Sequence, residues 1–417
     1  MHKMDQTACG GKDLPTARTT ASVLGWIILF KSLYLAVVYV CLLMWGDMDV
    51  GKFHQVNQRW PRVGEPVFAT HFATWDAAHY LYLSEVGYKP GAPSDAFYPL
   101  WPLLMRWTAP LFGGSHLVAG MVAANVLSTA AFLLFYRITS RRFGPTVAGW
   151  SLVFLLIFPG SLFYQFIYTE SLFLLLLMIL WHGLEEKNYV TAWVAAFLLP
   201  LSRAVGVFCL LPVVWHLVSK NVSAGASPYR GNCGRARLLP SRGVKTIPFF
   251  KQALRAFILL AAPLLGWSVY FVLMWTWTGD AFWGFKAQKF WGVHSVWNLI
   301  DVPKFVVALA NPSVLHDFTG SLVDRCVFVL VVFTLPGIWR LGKDLFLWVY
   351  VLGILTAMSG EFTSYTRFAS TAFPVYIACG VFFSEKRPAW ARVGFLGGCG
   401  AAHLVLLWQF VNFRWAG

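Results

Sequence analysis

The stretch Thr74–Tyr80 brings together side chains that could do chemistry. In a helix, Asp76 and His79 lie three residues apart on one face, with Tyr80 one turn from Asp76. A carboxylate backed by a histidine can deprotonate a hydroxyl group, which predicts Asp76 as a general base supported by His79. Trp75 and Tyr80 could stack on a sugar ring. Composition alone also allows a simpler interpretation, an interfacial loop with an aromatic belt and a solvated aspartate.

Other acidic residues compete with Asp76 for this role. Asp47 and Asp49 form a DxD pattern that can hold a divalent metal, although such patterns are common in loops and a solvated helix end is the simpler explanation. Glu85, nine residues after Asp76, could help to position the same loop. No CxxC pair or metal-ligand spacing occurs. We therefore predict no firm cofactor and leave a divalent metal open at the DxD pair.

The composition indicates what kind of chain must position these residues. Of its 417 residues, 58% are apolar and only 12% are charged, against about 25% charged in a typical soluble domain. These values exclude a soluble enzyme, a disordered protein and a nucleic-acid-binding module. Repeated apolar runs of membrane-spanning length predict an all-α, polytopic membrane protein instead.

The runs predict about eleven transmembrane helices, within a range of 10–13, in a single domain over 1–417. Lys31 lies in the middle of the first run, where it could contact a lipid phosphate or snorkel to the interface. Residues 97–112 contain three prolines, which should break a helix, so this segment is predicted to be interfacial or re-entrant. The expected spans are 22–45, 117–136, 146–163, 168–184, 189–201, 203–218, 256–277, 319–338, 345–358, 371–384 and 393–411.

The basic residues predict the orientation of the bundle. With eleven spans, the N-terminal tail, loops 137–145, 339–344 and 385–392, and the basic loop 219–255 all fall on one side. The positive-inside rule makes that side cytoplasmic, with the N-terminus inside. Segments 46–116, which carries the candidate motif and the re-entrant segment, and 278–318 then become large exoplasmic loops. Most acidic residues fall on the same outer side, so the polar chemistry is predicted to face outward.

Three motifs carry a resemblance to a known family. The order WDAAHYLYLSEVGY (75–88), AFYPLWPLL (96–104) and YTESLFLLLL (168–177) resembles the PIG-V family of mannosyltransferases. SRAVG (202–206) and YTRFASTAFP (365–374) are weaker matches to later family motifs, and SRAVG lacks the family's asparagine. The chain is shorter than eukaryotic members, which favours a prokaryotic-type relative in a bacterial inner membrane.

The resemblance implies a GT-C glycosyltransferase that uses a polyprenyl-phosphate sugar donor on the exoplasmic face. Asp76 would be the base, with His79 orienting it, in a direct displacement with inversion. Arg203 and Arg367 are candidates for binding the donor phosphate, unless they are only snorkelling residues at helix ends. Glu170 could bind sugar hydroxyls or simply favour the N-terminus of its helix. The remaining substrate-binding candidates are Trp75, Tyr80, Glu85, Tyr168 and Tyr365.

The expected partners are the lipid-linked donor, a lipid or glycan acceptor and membrane lipids, with no nucleic acid. Two other functions stay open at this point. A lipid-linked saccharide transporter or flippase would need a continuous polar path through the bundle and would not need Asp76. A non-catalytic subunit of a glycosylation complex would need neither a polar path nor Asp76.

Overall fold

The computed structural model describes residues 17–46, 49–57, 59–61, 67–225, 249–291, 296–385 and 388–417. Most of the described residues are helical. Among them no β-strand forms, and the only β-type pairing is an isolated bridge between Val314 and Ser321. The α-helices are α1 (Ala17–Trp45), α2 (Val50–Val56), α3 (Asp76–Val86), α4 (Leu100–Thr108), α5 (His116–Phe143), α6 (Pro145–Ile157), α7 (Glu170–Glu185), α8 (Tyr189–Ser202), α9 (Leu210–Gly225), α10 (Phe249–Thr278), α11 (Trp283–Ala287), α12 (Val302–Ala310), α13 (Leu322–Leu341), α14 (Lys343–Val349), α15 (Thr356–Gly360), α16 (Tyr365–Ala369), α17 (Phe373–Ser384) and α18 (Ala389–Val411).

The all-α class is confirmed, and the chain is an integral membrane protein. Within the described ranges, six helical segments are long and apolar enough to cross a membrane: 18–44, 116–143, 253–278, 322–341, 343–360 and 389–411. Four shorter apolar helices accompany them. Large apolar side chains are exposed along α1 and α10, as lipid-facing helices require. The predicted number of eleven spans stays a prediction.

Helix α7 lies at the centre of the bundle. It packs against α5 and α8, and its side chains are buried along almost its whole length. A helix that is apolar on all faces is stable only when other helices surround it. The charged exception among its buried side chains is Glu170, its first residue, which is 1% exposed. The central helix therefore begins with a buried carboxylate.

Prolines shift the boundaries of the predicted spans in two places. The predicted span 146–163 ends as an α-helix at Ile157, because Pro159 disfavours helical geometry in the residue before it, and a 3-10 turn, Pro159–Tyr164, follows. In segment 97–112 the first two prolines do not break the helix, contrary to expectation. Pro99 and Pro102 lie at the start of α4, where a missing N–H leaves no hydrogen bond unmade, so a nine-residue helix forms. That helix is too short to span a membrane.

The break between α6 and α7 lies inside the bundle, where its carbonyl groups need donors. Lys31 supplies one: its ammonium lies 2.9 Å from Gln165 Oε1 and 3.3 Å from the Tyr164 carbonyl oxygen. The Tyr164 carbonyl also accepts from Ser128 Oγ at 2.9 Å, and His403 Nδ1 lies 2.8 Å from the Phe158 carbonyl. Lys31 therefore points into the bundle, where it neither snorkels nor contacts lipid.

The two ends of the bundle carry different charge patterns. At one end, Arg142 pairs with Glu185 at 3.2 Å and with Asp344 at 2.5 Å, which joins the C-termini of α5 and α7 to α14. The loops at this end of the bundle are the ones predicted to be cytoplasmic. Residues 226–248 of the basic loop 219–255 lie outside the described residues. The opposite end holds Asp76 and the N-terminus of α7. The basic ends and the candidate motif are thus separated by the length of the bundle.

This arrangement gives a test of orientation. Lys89 and Lys187 are both exposed, near the candidate motif and at the basic end respectively. In a background with the native cysteines replaced, Lys89→Cys should react with a membrane-impermeant maleimide on intact cells, and Lys187→Cys should react only after permeabilisation. Labelling of Lys187→Cys from outside would contradict the predicted orientation.

Candidate active site

Four charged side chains from four elements form one ionic network. Arg367 donates from one terminal nitrogen to Asp76 Oδ2 at 2.5 Å, and its Nε lies 3.3 Å from Glu170 Oε1. Arg203 donates to the same Glu170 oxygen at 2.9 Å. Asp76, Glu170 and Arg367 are buried. Two carboxylates and two guanidinium groups cancel, which is what a site of low dielectric requires.

Helix ends deliver these charges to one point. Asp76 and Glu170 are the first residues of α3 and α7, where the helix dipole favours a negative charge. Arg203 is the C-cap of α8, where the dipole favours a cation. Burial alone would lower the pKa of Arg367, but the carboxylates of Asp76 and Glu170 raise it above its usual range. Arg367 is therefore a permanent cation.

Aromatic rings hold the two guanidinium groups in place. Both lie over the ring of Phe368, Arg203 at 4.4 Å and Arg367 at 4.5 Å from its centroid. Arg367 also lies 5.4 Å from the ring centroid of Tyr168, whose hydroxyl donates to the Thr74 carbonyl. Cation–π contacts of this kind stabilise a desolvated cation and restrict its movement. Tyr168 thus joins the motif to the network.

Trp75 fixes the start of α3 in an unusual backbone conformation. Its φ of 57° is positive, which is strained for a bulky residue. Two hydrogen bonds at 3.0 Å hold it, one from its backbone N–H to Asn57 Oδ1 and one from its indole N–H to the Arg414 carbonyl. This turn places Asp76 beside Arg367. The indole ring packs edge-on against Trp415, near the C-terminus.

His79 has a different partner from the one expected. Its Nδ1 lies 2.8 Å from Ser94 Oγ, and its ring stacks on Phe97. Asp76 instead accepts its side-chain hydrogen bond from Arg367. Burial is the main cause that lowers the pKa of His79 to about 4. The negative charge of Asp76 opposes this shift, and the positive charge of Arg59 adds to it. His79 is therefore neutral near pH 7 and is part of the wall beside Asp76.

A cavity of about 790 Å³ opens in front of the network. Asp76, His79, Arg203 and Arg367 line it, together with Trp75 and Tyr80. Its walls are predominantly apolar and aromatic. A concave apolar site with a few convergent polar groups is the usual form of a small-ligand site.

The two segments predicted as outer loops close this cavity together. Three side chains of segment 278–318 donate to the region 93–96: Trp283 Nε1 to Asp95 Oδ2 at 2.8 Å, Gln288 Nε2 to the Ala96 carbonyl at 3.0 Å and Trp291 Nε1 to the Pro93 carbonyl at 3.1 Å. Burial raises the pKa of Asp95 to about 6. The second segment is thus docked onto the first beside His79.

Other candidate residues lie away from the network. Glu85 accepts from the Trp60 indole at 2.8 Å in an exposed contact and is not among the cavity residues. Asp49 caps α2 by accepting from the Lys52 N–H, as the alternative of a helix end anticipated. Tyr365 is fully buried among Phe328 and other rings. Asp47, the other half of the DxD pair, lies outside the described residues.

The acids of the network have basic partners in place of further acidic ligands. In the part of the chain that the structure describes, no group of three or more His, Cys, Asp and Glu side chains is arranged to hold a metal ion. Asp76 and Glu170 each face a guanidinium group. The residues present suit recognition of an anion or a hydroxyl group.

Arg59 and Trp415 are among the cavity residues that were not predicted from the sequence. Arg59 lines the cavity and has no ion pair among the described side chains. An arginine in a predicted outer loop runs against the positive-inside bias, and this signal could have identified it. Trp415 also lines the cavity, because the chain after α18 folds back over the motif, where the Arg414 carbonyl accepts from Trp75 Nε1 at 3.0 Å. No sequence signal predicts that contact.

Residues 51–224 match the family model Mannosyltransferase (PIG-V). The resemblance seen in the motifs is thereby confirmed over the part of the chain that holds Asp76, Glu170 and Arg203. No curated protein matches the sequence.

Three solved structures are similar in fold. ArnT from Cupriavidus metallidurans, bound to undecaprenyl phosphate, is 13% identical, with a TM-score of 0.49, 93% of this chain and 71% of that chain covered. The Archaeoglobus fulgidus oligosaccharyltransferase in its apo form is 12% identical, with a TM-score of 0.48 and coverages of 95% and 56%. The oligosaccharyltransferase AglB from Archaeoglobus fulgidus, in complex with an inhibitory peptide and a dolichol-phosphate, is 12% identical, with a TM-score of 0.44 and coverages of 94% and 56%. The chain thus spans just over half the length of each archaeal chain.

The state of His79 leads to a prediction about pH. An ordinary histidine changes charge near pH 6.5, whereas His79, with a pKa of about 4, stays neutral above about pH 5. Any transfer activity should therefore show the same pH profile between about pH 5.5 and 8 in the parent and in His79→Asn. Ser94→Ala tests the hydrogen bond separately. A break near pH 6.5 that vanishes in His79→Asn would contradict a neutral role.

Proposed function

We propose that the chain is a glycosyltransferase that moves a sugar, mannose by its family resemblance, from a polyprenyl-phosphate donor to a hydroxyl group of a lipid or glycan. The observation that carries the proposal is the joint presence of Asp76, Arg203 and Arg367 on one apolar-walled cavity. The apolar walls suit an isoprenoid chain, the guanidinium groups suit its phosphate and the carboxylate suits the acceptor hydroxyl. The match to the mannosyltransferase model supports the class of reaction.

Asp76 is the proposed general base. Its Oδ2 is held by Arg367, and Oδ1 has no side-chain hydrogen bond among the described residues. In a direct displacement, the acceptor oxygen bonds to the anomeric carbon while the bond from that carbon to the phosphate oxygen breaks. The acceptor proton passes to Asp76, and the lipid phosphate leaves with the bonding electrons. This reaction inverts the anomeric centre.

Three arginines are proposed to receive the leaving phosphate. The network of Asp76, Glu170, Arg203 and Arg367 is neutral as a whole, so the phosphate needs a further cation for charge balance. Arg59 lines the same cavity and provides it. Arg203 and Arg367 contribute the guanidinium N–H groups that are not bonded to Glu170 and Asp76. Together with Arg59 they donate hydrogen bonds to the phosphate oxygens. An exoplasmic location follows from the predicted orientation and is part of the proposal.

The central prediction concerns Asp76. Asp76→Asn keeps a hydrogen-bond acceptor for Arg367 but removes the base, so transfer should fall by about two to four orders of magnitude. The measurement is incorporation of radiolabelled mannose from polyprenyl-phosphate mannose into lipid or glycan by membranes containing the protein.

Asp49→Asn is the matched control, because Asn also caps helices well and Asp49 lies on α2, away from the network. Its transfer rate should stay near that of the parent. Yield and thermal unfolding of purified Asp76→Asn show whether it folds. If Asp76→Asn kept near-normal sugar transfer while Asp49→Asn lost it, Asp76 would not be the base, and a metal-bound DxD pair would be the better catalytic candidate.

A second prediction concerns the phosphate. Arg59→Gln should raise the KM for the lipid-phosphate donor by about tenfold or more, as expected when a charge-assisted hydrogen bond is lost. Arg203→Gln should do the same and should also lower stability, because it leaves buried Glu170 with only Arg367. Arg340→Gln, at an exposed position at the far end of α13, is the control. An unchanged donor KM in both cavity variants would rule out this phosphate site.

A further inference from the structure

A second, smaller cavity adjoins the first. It has a volume of about 380 Å³ and lies among α12, residues 313–320 and the loop 361–364. Trp291, Phe318 and Thr363 line both cavities, so the two spaces meet at a common wall. None of the groups proposed above for the base or the phosphate lines the second cavity. Its role is therefore still to be assigned.

The common wall includes a strained loop. Glu361, Phe362 and Ser364 have φ values of 49°, 69° and 56°, in the left-handed region that costs about 1–3 kcal/mol for each non-glycine residue. Packing maintains this conformation, since Phe362 stacks on Phe305. Backbone strain of this kind concentrates at ligand sites. Because α16, which contains Arg367, begins directly after this loop, the loop connects the second cavity to the ionic network.

The charged residues of the second cavity are already in use. Lys304 pairs with Glu361 across it. Arg325 donates from Nε to the Ala308 carbonyl at 2.8 Å and from a terminal nitrogen to the Ser321 carbonyl at 2.7 Å. Its second terminal nitrogen also donates to Ala308. Neither cation is available as the main partner of an anion, so the lining does not suit a phosphate or carboxylate ligand.

What the lining offers is a set of neutral groups. Asn311, Ser313 and Thr319 are exposed on the cavity and have no side-chain hydrogen bond within the described ranges. The aromatic rings of Trp291 and Phe318 stand beside them. Amide and hydroxyl groups next to aromatic faces are complementary to a polyhydroxylated ring, whose hydroxyl groups form hydrogen bonds while its C–H face packs on the aromatic ring.

We infer that the second cavity binds a neutral saccharide, the sugar end of the acceptor. The inference rests on the proposed function and adds the class of acceptor to it. A saccharide in this cavity would extend past Thr363 into the first cavity, where its reactive hydroxyl would meet Asp76. The lipid-linked donor and the acceptor would then approach from two sides of the wall formed by Trp291, Phe318 and Thr363.

The test measures sugar binding directly, without transfer. Purified protein in nanodiscs is mixed with methyl α-D-mannopyranoside, with maltose or with mannose 6-phosphate, and saturation-transfer difference NMR reports binding. A neutral sugar should give a signal that the Asn311→Ala/Thr319→Val double variant weakens at least about fivefold, as expected for the loss of two neutral hydrogen bonds. Both positions are exposed, so the fold should survive. Thr146→Val, an exposed threonine at the start of α6, should leave the signal unchanged.

The outcomes separate this inference from the proposed function. Absence of a signal from both neutral sugars, a signal that the double variant does not change, or binding of mannose 6-phosphate alone would each overturn the saccharide site. In that case loss of transfer in Asp76→Asn would still support the transferase. Conversely, a signal that depends on Asn311 and Thr319 would support the saccharide site even if Asp76→Asn kept full transfer activity.

Discussion

The buried guanidinium group of Arg367 is the constraint on which the site depends. A cation removed from water must be matched by negative charge at short range, and both Asp76 and Glu170 supply it. These acids belong to helices that are far apart in the chain, so the ion pairs bring α3, α7 and α16 to one place. Arg203 then balances the second carboxylate. The site therefore has fixed electrostatics before any ligand arrives.

Backbone breaks inside the bundle make that convergence possible. A continuous helix through residues 146–185 would carry Glu170 into the middle of a span, whereas the break after Ile157 lets α7 begin at the level of the site. The exposed carbonyl groups of such a break are costly in an apolar environment. Lys31, Ser128 and His403 supply the missing donors from three other helices. The intramembrane lysine thus serves the structure that presents Glu170.

The cavity depends on contacts between segments that are distant in sequence. Trp283, Gln288 and Trp291 attach the second predicted outer loop to the first, and the chain after α18 closes over Trp75. The strained residues 361–364 add a wall shared with a second, polar cavity. An apolar space that holds Asp76 and a more polar space therefore lie side by side. This division corresponds to the two kinds of substrate that the proposed reaction joins.

The sequence by itself determined the helical class, the membrane location and the elements that carry the candidate residues, because these depend on local hydrophobicity and on short motifs. It also suggested Asp76 through its spacing to His79, and Glu170, Arg203 and Arg367 through the resemblance of short motifs to a known family. Their pairing was decided only by the tertiary structure. Helical spacing suggested that Asp76 pairs with His79, which is close in sequence. In the structure Asp76 instead pairs with the charged side chain of Arg367, which is 291 residues away.

Glu85 and Tyr365 share motifs with these residues, yet local sequence does not reveal which face of an element meets the cavity. Arg59 runs against the positive-inside bias and so carries a sequence signal, whereas Trp415 reaches the site only because the chain folds back on itself, a long-range contact without a local signature.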